Sequence, residues 1–243
     1  MKPTLFITGT DTDSGKTLVG TGLLHLARRE GFETQGYKPL ASGCLPTQDG
    51  LRNSDALALM AESNLGLEYA EVNPFTFAPA IAPHIAANQQ GQDISITNLT
   101  ESMMSVGCSS HMAQLVEGAG GWRLPLQQGE YLSTFVAQQQ WQVVLVVGMK
   151  LGCLNHAILT AEAIAADGLT LVGWVANHID GDMSCFEENL ASLQQMMPAP
   201  CLGVVPPLVD TSAEQVANHL QLPHCWLNAE QDVTVSRVSR LQA

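Results

Sequence analysis

The sequence has few basic residues and no long apolar run, and both absences narrow the classes of protein to which it can belong. Ten Lys and Arg residues stand against 23 Asp and Glu, which gives a formal net charge of -13. Nucleic acids and anionic membranes are bound by clustered Lys and Arg, so this charge argues against both partners and favours a small ligand. No apolar stretch reaches the roughly eighteen residues that span a bilayer, and residues 1–3 lead into a strand rather than into the apolar region of a signal peptide. We therefore expect a cytoplasmic protein.

Metal-ligand spacing of cysteine and histidine is also absent. The six cysteines include no Cys-x-x-Cys pair, so we expect reduced thiols and no zinc site. The chain has no internal repeat, low-complexity tract or long linker. Its 243 residues, 46% of them hydrophobic, suffice for one sizeable core. We expect a single domain over residues 1–243.

Apolar strand-like runs alternate with helical patterns, which predicts an α/β fold: a doubly wound, mainly parallel sheet with helices on both faces. The predicted strands are residues 4–9, 34–38, 113–117, 143–148, 171–177 and 201–205. The predicted helices are residues 16–29, 55–62, 96–106, 132–139, 154–166, 185–197 and 213–220. Residues 78–91 are expected to form a surface excursion, and the tail at 232–243 to add an edge strand.

A glycine-bounded loop directly after the first predicted strand indicates a nucleotide-binding protein. Five residues, rather than the usual four, lie between Gly9 and Gly15-Lys16-Thr17, and the loop leads into a helix. Backbone N–H groups and the helix dipole there favour an anion. Lys16 would reach the terminal phosphates, and the Thr17 hydroxyl would bind Mg²⁺.

The carboxyl ends of the other predicted strands, where ligands collect in open sheets, are also polar. The third strand ends at Glu117, followed by Gly-Ala-Gly-Gly. A buried carboxylate there needs a partner, and Mg²⁺ held by Thr17 is a natural one. The second strand ends at Lys38. Asp55 lies in the first turn of a helix that we expect Ser54 to cap, where a carboxylate is more often structural.

Several motifs together resemble the dethiobiotin synthetases, the ATP-dependent ligases of biotin biosynthesis with a P-loop fold. The resemblance covers about residues 5 to 208, and the longer loop spacing is the family's own. The matching segments are Thr8-Gly9-Thr10-Asp11-Thr12 with Gly15-Lys16-Thr17, Gly36-Tyr37-Lys38-Pro39 with Ala41-Ser42-Gly43, Leu51-Arg52-Asn53-Ser54-Asp55, Asn73-Pro74, Pro83-His84, Val116-Glu117-Gly118-Ala119-Gly120-Gly121, Lys150-Leu151-Gly152-Cys153 with Asn155-His156-Ala157, and Gly173-Trp174-Val175-Ala176-Asn177.

The resemblance implies a homodimer that joins CO2 to 7,8-diaminononanoate at the expense of ATP. One amine forms a carbamate, the carbamate takes the γ-phosphoryl group, and the second amine closes a cyclic urea with loss of phosphate. Because this phosphoryl transfer needs charge neutralisation more than a strong base, lysines and Mg²⁺ can supply most of the catalysis.

The resemblance also implies roles for individual residues. Catalytic roles fall to Lys16, Lys38 and Thr12. Mg²⁺ would be held by Thr17, Asp55 and Glu117. The diamine would be bound by Thr12, Lys38 and Ser42, and its remote carboxylate by Gly152, Cys153, Leu154 and Asn155 of the other subunit. ATP would contact Asp13, Ser14, Gly15, Lys16, Thr17, Leu18, Asp55, Glu117, Gly118, Ala119, Gly120, Asn177, His178, Pro206, Pro207 and Leu208.

The chain departs from the family pattern at a few positions. Asp13-Ser14 stands where typical members have Glu-Val, Ala82 where they have a serine, and His178 where they often have an acidic residue. Two alternatives therefore remain open: a divergent paralogue that ligates another amine, and a nucleotide switch of the partition-ATPase type. The second lacks support from an additional lysine early in the loop, where this chain has Thr10 and Asp11.

Overall fold

The computed structural model describes residues 3–104, 112–179, 181 and 183–227. Six parallel strands form the central sheet in the order β10-β9-β8-β1-β7-β2. All six strands predicted from the sequence are confirmed, and four strands of three residues each are added to them. The strands are β1 (Leu5–Gly9), β2 (Glu33–Tyr37), β3 (Leu40–Ser42), β4 (Leu45–Thr47), β5 (Gly50–Arg52), β6 (Phe75–Phe77), β7 (Met112–Gly121), β8 (Gln142–Gly148), β9 (Leu171–Asn177) and β10 (Cys201–Val205).

The sheet is buried on both faces because its central strands carry apolar residues that point to each side in turn. In β1, Leu5 and Ile7 pack into one core cluster, while Phe6 between them packs into another. β8 follows the same alternation, with Val144 in the first cluster and Val143 in the second. Consecutive side chains of a strand point to opposite faces, so helices must cover both sides. The predicted doubly wound α/β class is therefore confirmed.

The helices flank this sheet, and each predicted helix corresponds to an observed one with bounds shifted by a few residues. The helices are α1 (Lys16–Arg29), α2 (Ser54–Ala61), α3 (Tyr69–Val72), α4 (Pro83–Gln90), α5 (Ile96–Ser102), α6 (Leu132–Gln139), α7 (Cys153–Ala166), α8 (Phe186–Met196), α9 (Ala213–Ala217) and α10 (His224–Leu227). In the described ranges, none is long and apolar enough to cross a membrane.

Two local predictions were wrong. The expected surface excursion over residues 78–91 contains α4, whose Ala86 and Ala87 are buried in the core opposite the phosphate-loop helix. Asn53, not Ser54, caps α2, because its side chain accepts hydrogen bonds from the backbone N–H groups of Asp55 and Ala56. The predicted tail strand at 232–243, the end of the predicted helix 96–106 and Cys108 lie outside the described residues. The five described cysteines are free thiols.

Candidate active site

The phosphate loop connects β1 to α1 and is held in shape by a neighbouring strand. Gly15 caps α1 in a left-handed conformation, with φ of 91°. A Cβ atom at Gly15 would lie 2.0 Å from Nδ2 of Asn177, so any larger residue would displace that amide. The same Nδ2 donates to the Ser14 carbonyl oxygen at 2.9 Å. The end of β9 thus fixes the loop that opens the helix.

Lys16 is buried at the base of this loop, with 7% of its surface exposed. Its Nζ donates to the Asp11 carbonyl oxygen at 3.0 Å. Burial lowers the pKa of Lys16 below its ordinary 10.5, and the positive charge of Lys38 lowers it further. On the outer side of the loop, Lys150 pairs with the Asp11 carboxylate at 3.4 Å. Hydrogen bonding from the Thr12 N–H lowers the pKa of Asp11.

A compact polar cluster lies where the carboxyl ends of β1, β2 and β7 meet. Lys38 Nζ donates to Glu117 Oε1 at 2.5 Å and to the Gly118 carbonyl oxygen at 3.2 Å. It also pairs with Asp55 Oδ2 at 3.1 Å. The Thr17 hydroxyl donates to the same Glu117 oxygen at 2.8 Å. Four residues that are separated by up to a hundred positions in the sequence therefore lie together in the structure, at the place where the family resemblance implies a site.

Two carboxylates keep the Lys38 side chain charged although it is only 4% exposed. Burial by itself lowers the pKa of Lys38, but the negative charges of Glu117 and Asp55 outweigh it and hold that pKa above 10.5. With Lys16 nearby, the cluster contains two ammonium groups and two carboxylates. Such a group can neutralise charge that develops on a transferring phosphoryl group.

The oxygens of this cluster fit a magnesium ion. Glu117 is 1% exposed, and its Oε2 has no hydrogen-bond partner among the described residues. The Thr17 hydroxyl donates to the other oxygen of that carboxylate. Lys38 pairs with both Glu117 and Asp55 and so holds the second carboxylate beside the first. No group of three His, Cys, Asp or Glu side chains forms a metal cluster in the described part of the chain. Two carboxylates and a hydroxyl nonetheless suit Mg²⁺, which keeps several of its waters and takes phosphate oxygens.

A cavity of about 890 Å³ opens over the cluster. Its polar floor contains residues that the sequence analysis selected, namely Thr12, Asp13, Gly15, Lys16, Thr17, Leu18, Lys38, Ser42, Asp55, Glu117, Ala119 and Gly120. The rest of its lining is Asn53 and an apolar wall to which the sequence assigned no site role, formed by Leu40, Ala41, Ala80, Ile81, Ala82, Pro83 and Leu124. The cavity can therefore hold a phosphate chain at one side and an aliphatic chain at the other.

The remaining predicted residues lie beside the cavity rather than in its lining. Asn177 ends β9 and pairs in register with Val205 at the end of β10, which Pro206, Pro207 and Leu208 follow. His178 donates its backbone N–H to Val205, and its ring stacks on Phe186 with a centroid distance of 4.2 Å. These residues form one corner of the sheet edge, next to the phosphate loop.

Residues Gly152, Cys153, Leu154 and Asn155 begin α7. Cys153 is buried, whereas Gly152 and Asn155 are exposed to solvent on the outer side of the loop. Within one subunit they do not line the cavity. Of the departures from the family pattern, Ala82 is the N-cap of α4 and provides no side-chain hydrogen bond there. Ser14 is buried, and its hydroxyl has no partner among the described residues.

Comparisons with known proteins find a family model and relatives that cover most of the chain. A family model described as an AAA domain matches residues 3–215. The chain is 54% identical over 220 residues to the ATP-dependent dethiobiotin synthetase BioD of Pseudomonas aeruginosa (strain UCBPP-PA14), covering 90% of this chain and 96% of the relative. It is 56% identical over 225 residues to the protein of the same name from Cellvibrio japonicus, covering 91% and 96%.

Solved structures give the same fold at much lower identity. The septum site-determining protein MinD of Pyrococcus horikoshii, complexed with Mg-ADP, superposes with a TM-score of 0.53 at 14% identity. The alignment covers 96% of this chain and 90% of that one. At this identity the likeness concerns the fold alone.

Proposed function

This chain belongs to the dethiobiotin synthetase family, and on that premise we propose that it carboxylates 7,8-diaminononanoate and closes its ureido ring with ATP. The observation that carries the proposal is the cluster of Lys38, Glu117, Asp55 and Thr17 beneath the phosphate loop. Its lysine and two carboxylates, together with the neighbouring Lys16, match the needs of phosphoryl transfer to a carbamate. Identities of 54% and 56% over nine tenths of the chain support the same activity.

The nucleotide would enter with its phosphates at the loop and its base near Asn177. Lys16, at the start of α1, would contact the terminal phosphates, where the helix dipole adds to the attraction. Thr17, Glu117 and Asp55 would hold Mg²⁺, which neutralises charge on the phosphate oxygens when it is bound. The unpartnered Oε2 of Glu117 supports this assignment.

The diamine would lie in the same cavity, with its amines at the polar floor and its chain along the apolar wall. One amine attacks CO2 and loses a proton to form the carbamate. A carbamate oxygen then attacks the γ-phosphorus, and the bond between that phosphorus and ADP breaks. The second amine attacks the carbonyl carbon and loses a proton, inorganic phosphate leaves as the C–O bond breaks, and the two C–N bonds complete the urea. Lys38 is positioned to neutralise the carbamate and phosphoryl oxygens, while Thr12 and Ser42 would orient the amines.

A homodimer would complete the site. The exposed residues Gly152 and Asn155 at the start of α7 do not line the cavity of their own subunit. The α7 N-terminus would instead bind the remote carboxylate of a diamine held by the partner. This arrangement agrees with the preference of helix N-termini for anions.

Measuring ADP release with and without 7,8-diaminononanoate and bicarbonate tests the proposal. We expect turnover only when both are present, together with dethiobiotin detected by mass spectrometry. Turnover that requires a different diamine would identify a divergent paralogue. A rate of ADP release that is the same with and without any diamine would contradict the ligase function and favour a nucleotide switch.

A further inference from the structure

A closed circuit of hydrogen bonds joins Lys38 to Asp55 through three residues outside the catalytic set. We infer that Asn73, Tyr69 and Asn53 position Lys38 and Asp55 relative to each other for Mg²⁺-dependent phosphoryl transfer. The inference rests on the proposed function for the reaction concerned. The circuit itself is a set of contacts among described residues.

The donor–acceptor distances of the circuit lie between 2.5 and 3.1 Å, at or below the usual length of a hydrogen bond. Asn73 Nδ2 donates to the Lys38 carbonyl oxygen at 2.5 Å, and the Tyr69 hydroxyl donates to Asn73 Oδ1 at 2.8 Å. The backbone N–H of Asn53 donates to the Tyr69 hydroxyl at 2.7 Å. Asn53 Oδ1 accepts from the backbone N–H of Asp55 at 3.1 Å. The Asp55 carboxylate closes the circuit on Lys38 Nζ at 3.1 Å.

The circuit joins three segments that are not adjacent in the sequence: the end of β2, the N-terminus of α2, and α3 with the residue that follows it. A second bond, from the Lys38 backbone N–H to the Val72 carbonyl oxygen at 2.9 Å, holds the same peptide from the other side. Lys38 is therefore fixed at its backbone by the α3 segment and at its ammonium group by the two carboxylates. Asp55 is fixed at its backbone N–H by the Asn53 cap.

Tyr69 is the centre of the circuit because its hydroxyl both donates and accepts. Burial raises the pKa of Tyr69, so the phenol stays protonated and remains a donor. The guanidinium of Arg52 lies over its ring, 4.2 Å from the centroid, and restricts the ring from the outer side. Asn73 is only 1% exposed. Water therefore has little access to replace the bonds of this residue.

A positioning role follows from what the circuit connects. Lys38 and Asp55 line the cavity in which the phosphoryl group would transfer, as does Asn53, whereas neither Tyr69 nor Asn73 lines it. A displacement of about 1 Å in such groups can lower turnover by about a hundredfold. A merely structural role would lower stability without changing the dependence of turnover on Mg²⁺.

The test is Tyr69→Phe, which removes one oxygen and leaves the shape of the side chain nearly unchanged. We expect kcat to fall by about tenfold or more, with the Mg²⁺ concentration at half-maximal rate raised and KM for ATP within about twofold of the wild-type value. Calorimetric titration of Mg²⁺ with ADP should show the same weakening independently of turnover. Tyr131→Phe is the matched control, because Tyr131 lies outside the circuit with 43% of its surface exposed.

Asn73→Ala provides a second route should Tyr69→Phe fold poorly. It should give the same pattern, and the double variant should be no worse than either single one, since both break one circuit. Unchanged kcat and Mg²⁺ dependence in folded variants would overturn the inference. A wild-type protein that binds Mg-ADP but does not turn over the diamine would overturn the proposed function instead, and the calorimetric comparison would still decide the role of the circuit.

Discussion

The Glu117→Gln variant tests the centre of the site, because this substitution removes a charge and keeps the side-chain size. In the wild-type protein one oxygen of Glu117 accepts from Lys38 at 2.5 Å and from Thr17 at 2.8 Å. Removing one partner of a buried ion pair typically costs about 3–5 kcal/mol. Asp55 remains 3.1 Å from Lys38, and the glutamine oxygen can still accept a hydrogen bond. We therefore expect a smaller loss in the free energy of unfolding, about 2–3 kcal/mol.

The variant should affect magnesium dependence as well as stability. A divalent cation and one carboxylate about 4 Å apart at an effective dielectric constant of about 20 attract each other by about 8 kcal/mol. Part of that energy is recovered when the ion keeps more of its waters. We expect the Mg²⁺ concentration at half-maximal rate to rise by about ten- to hundredfold, which corresponds to about 1.4–2.8 kcal/mol.

Mg²⁺ titrations of ADP release at saturating ATP and diamine measure this shift, and chemical denaturation measures the stability. Glu33→Gln is the matched control, because it removes the same charge from an exposed position at the opposite end of β2. If the two variants gave superimposable Mg²⁺ titrations, Glu117 would not be a metal ligand and the reasoning would fail.

Three further predictions concern the phosphate loop and one cysteine. Lys16→Ala should lower turnover by about 10²–10³-fold with little change in melting temperature; near-normal ADP release would remove Lys16 from the mechanism. Gly15→Ala should be much less stable than Gly31→Ala, because both glycines have φ near 90° but only at Gly15 would the new Cβ meet Asn177; equal melting temperatures would contradict this. Burial raises the pKa of Cys225 from 9.0 to about 11, so the unfolded chain releases this proton first and stability should fall between those pH values. The Cys225→Ala variant should lose less stability over that range in denaturant titrations, and parallel curves would refute the assignment.

Much of the sheet and of the polar site could be predicted because each depends on a local signal. A continuous apolar run such as that of β8 predicts a strand buried on both faces. A carboxylate at the end of such a strand, as at Glu117, needs a charged or metal partner. In a parallel sheet the carboxyl ends of neighbouring strands lie at the same edge, so the sequence predicts Glu117 and Lys38 at one edge of the sheet.

The features that could not be predicted depend on non-local contacts or on signals that compete. The apolar wall joins Leu40 of β3 with Ile81 and Leu124 from two loops, and nothing in the sequence around each residue indicates the others. Helix α4 has Pro83 at its first position as a start signal, but Ala82 before it provides no side-chain cap. Asn53 and Ser54 are both residue types that cap helices well. The cap is Asn53, whose backbone N–H also donates to the hydroxyl of Tyr69, sixteen residues away in the sequence.

The bond from Lys16 to the Asp11 carbonyl oxygen has a thermodynamic consequence for nucleotide affinity. A lysine side chain that becomes ordered loses rotamer freedom worth about 1.5–2 kcal/mol, and here much of that loss occurs when the chain folds. When a triphosphate binds, the Lys16 ammonium group leaves a neutral acceptor for a charged one, and no free side chain has to be immobilised. The smaller entropy cost of binding alone corresponds to an association constant that is higher by more than about tenfold. Folding thus prepares the ammonium group before any ligand is encountered.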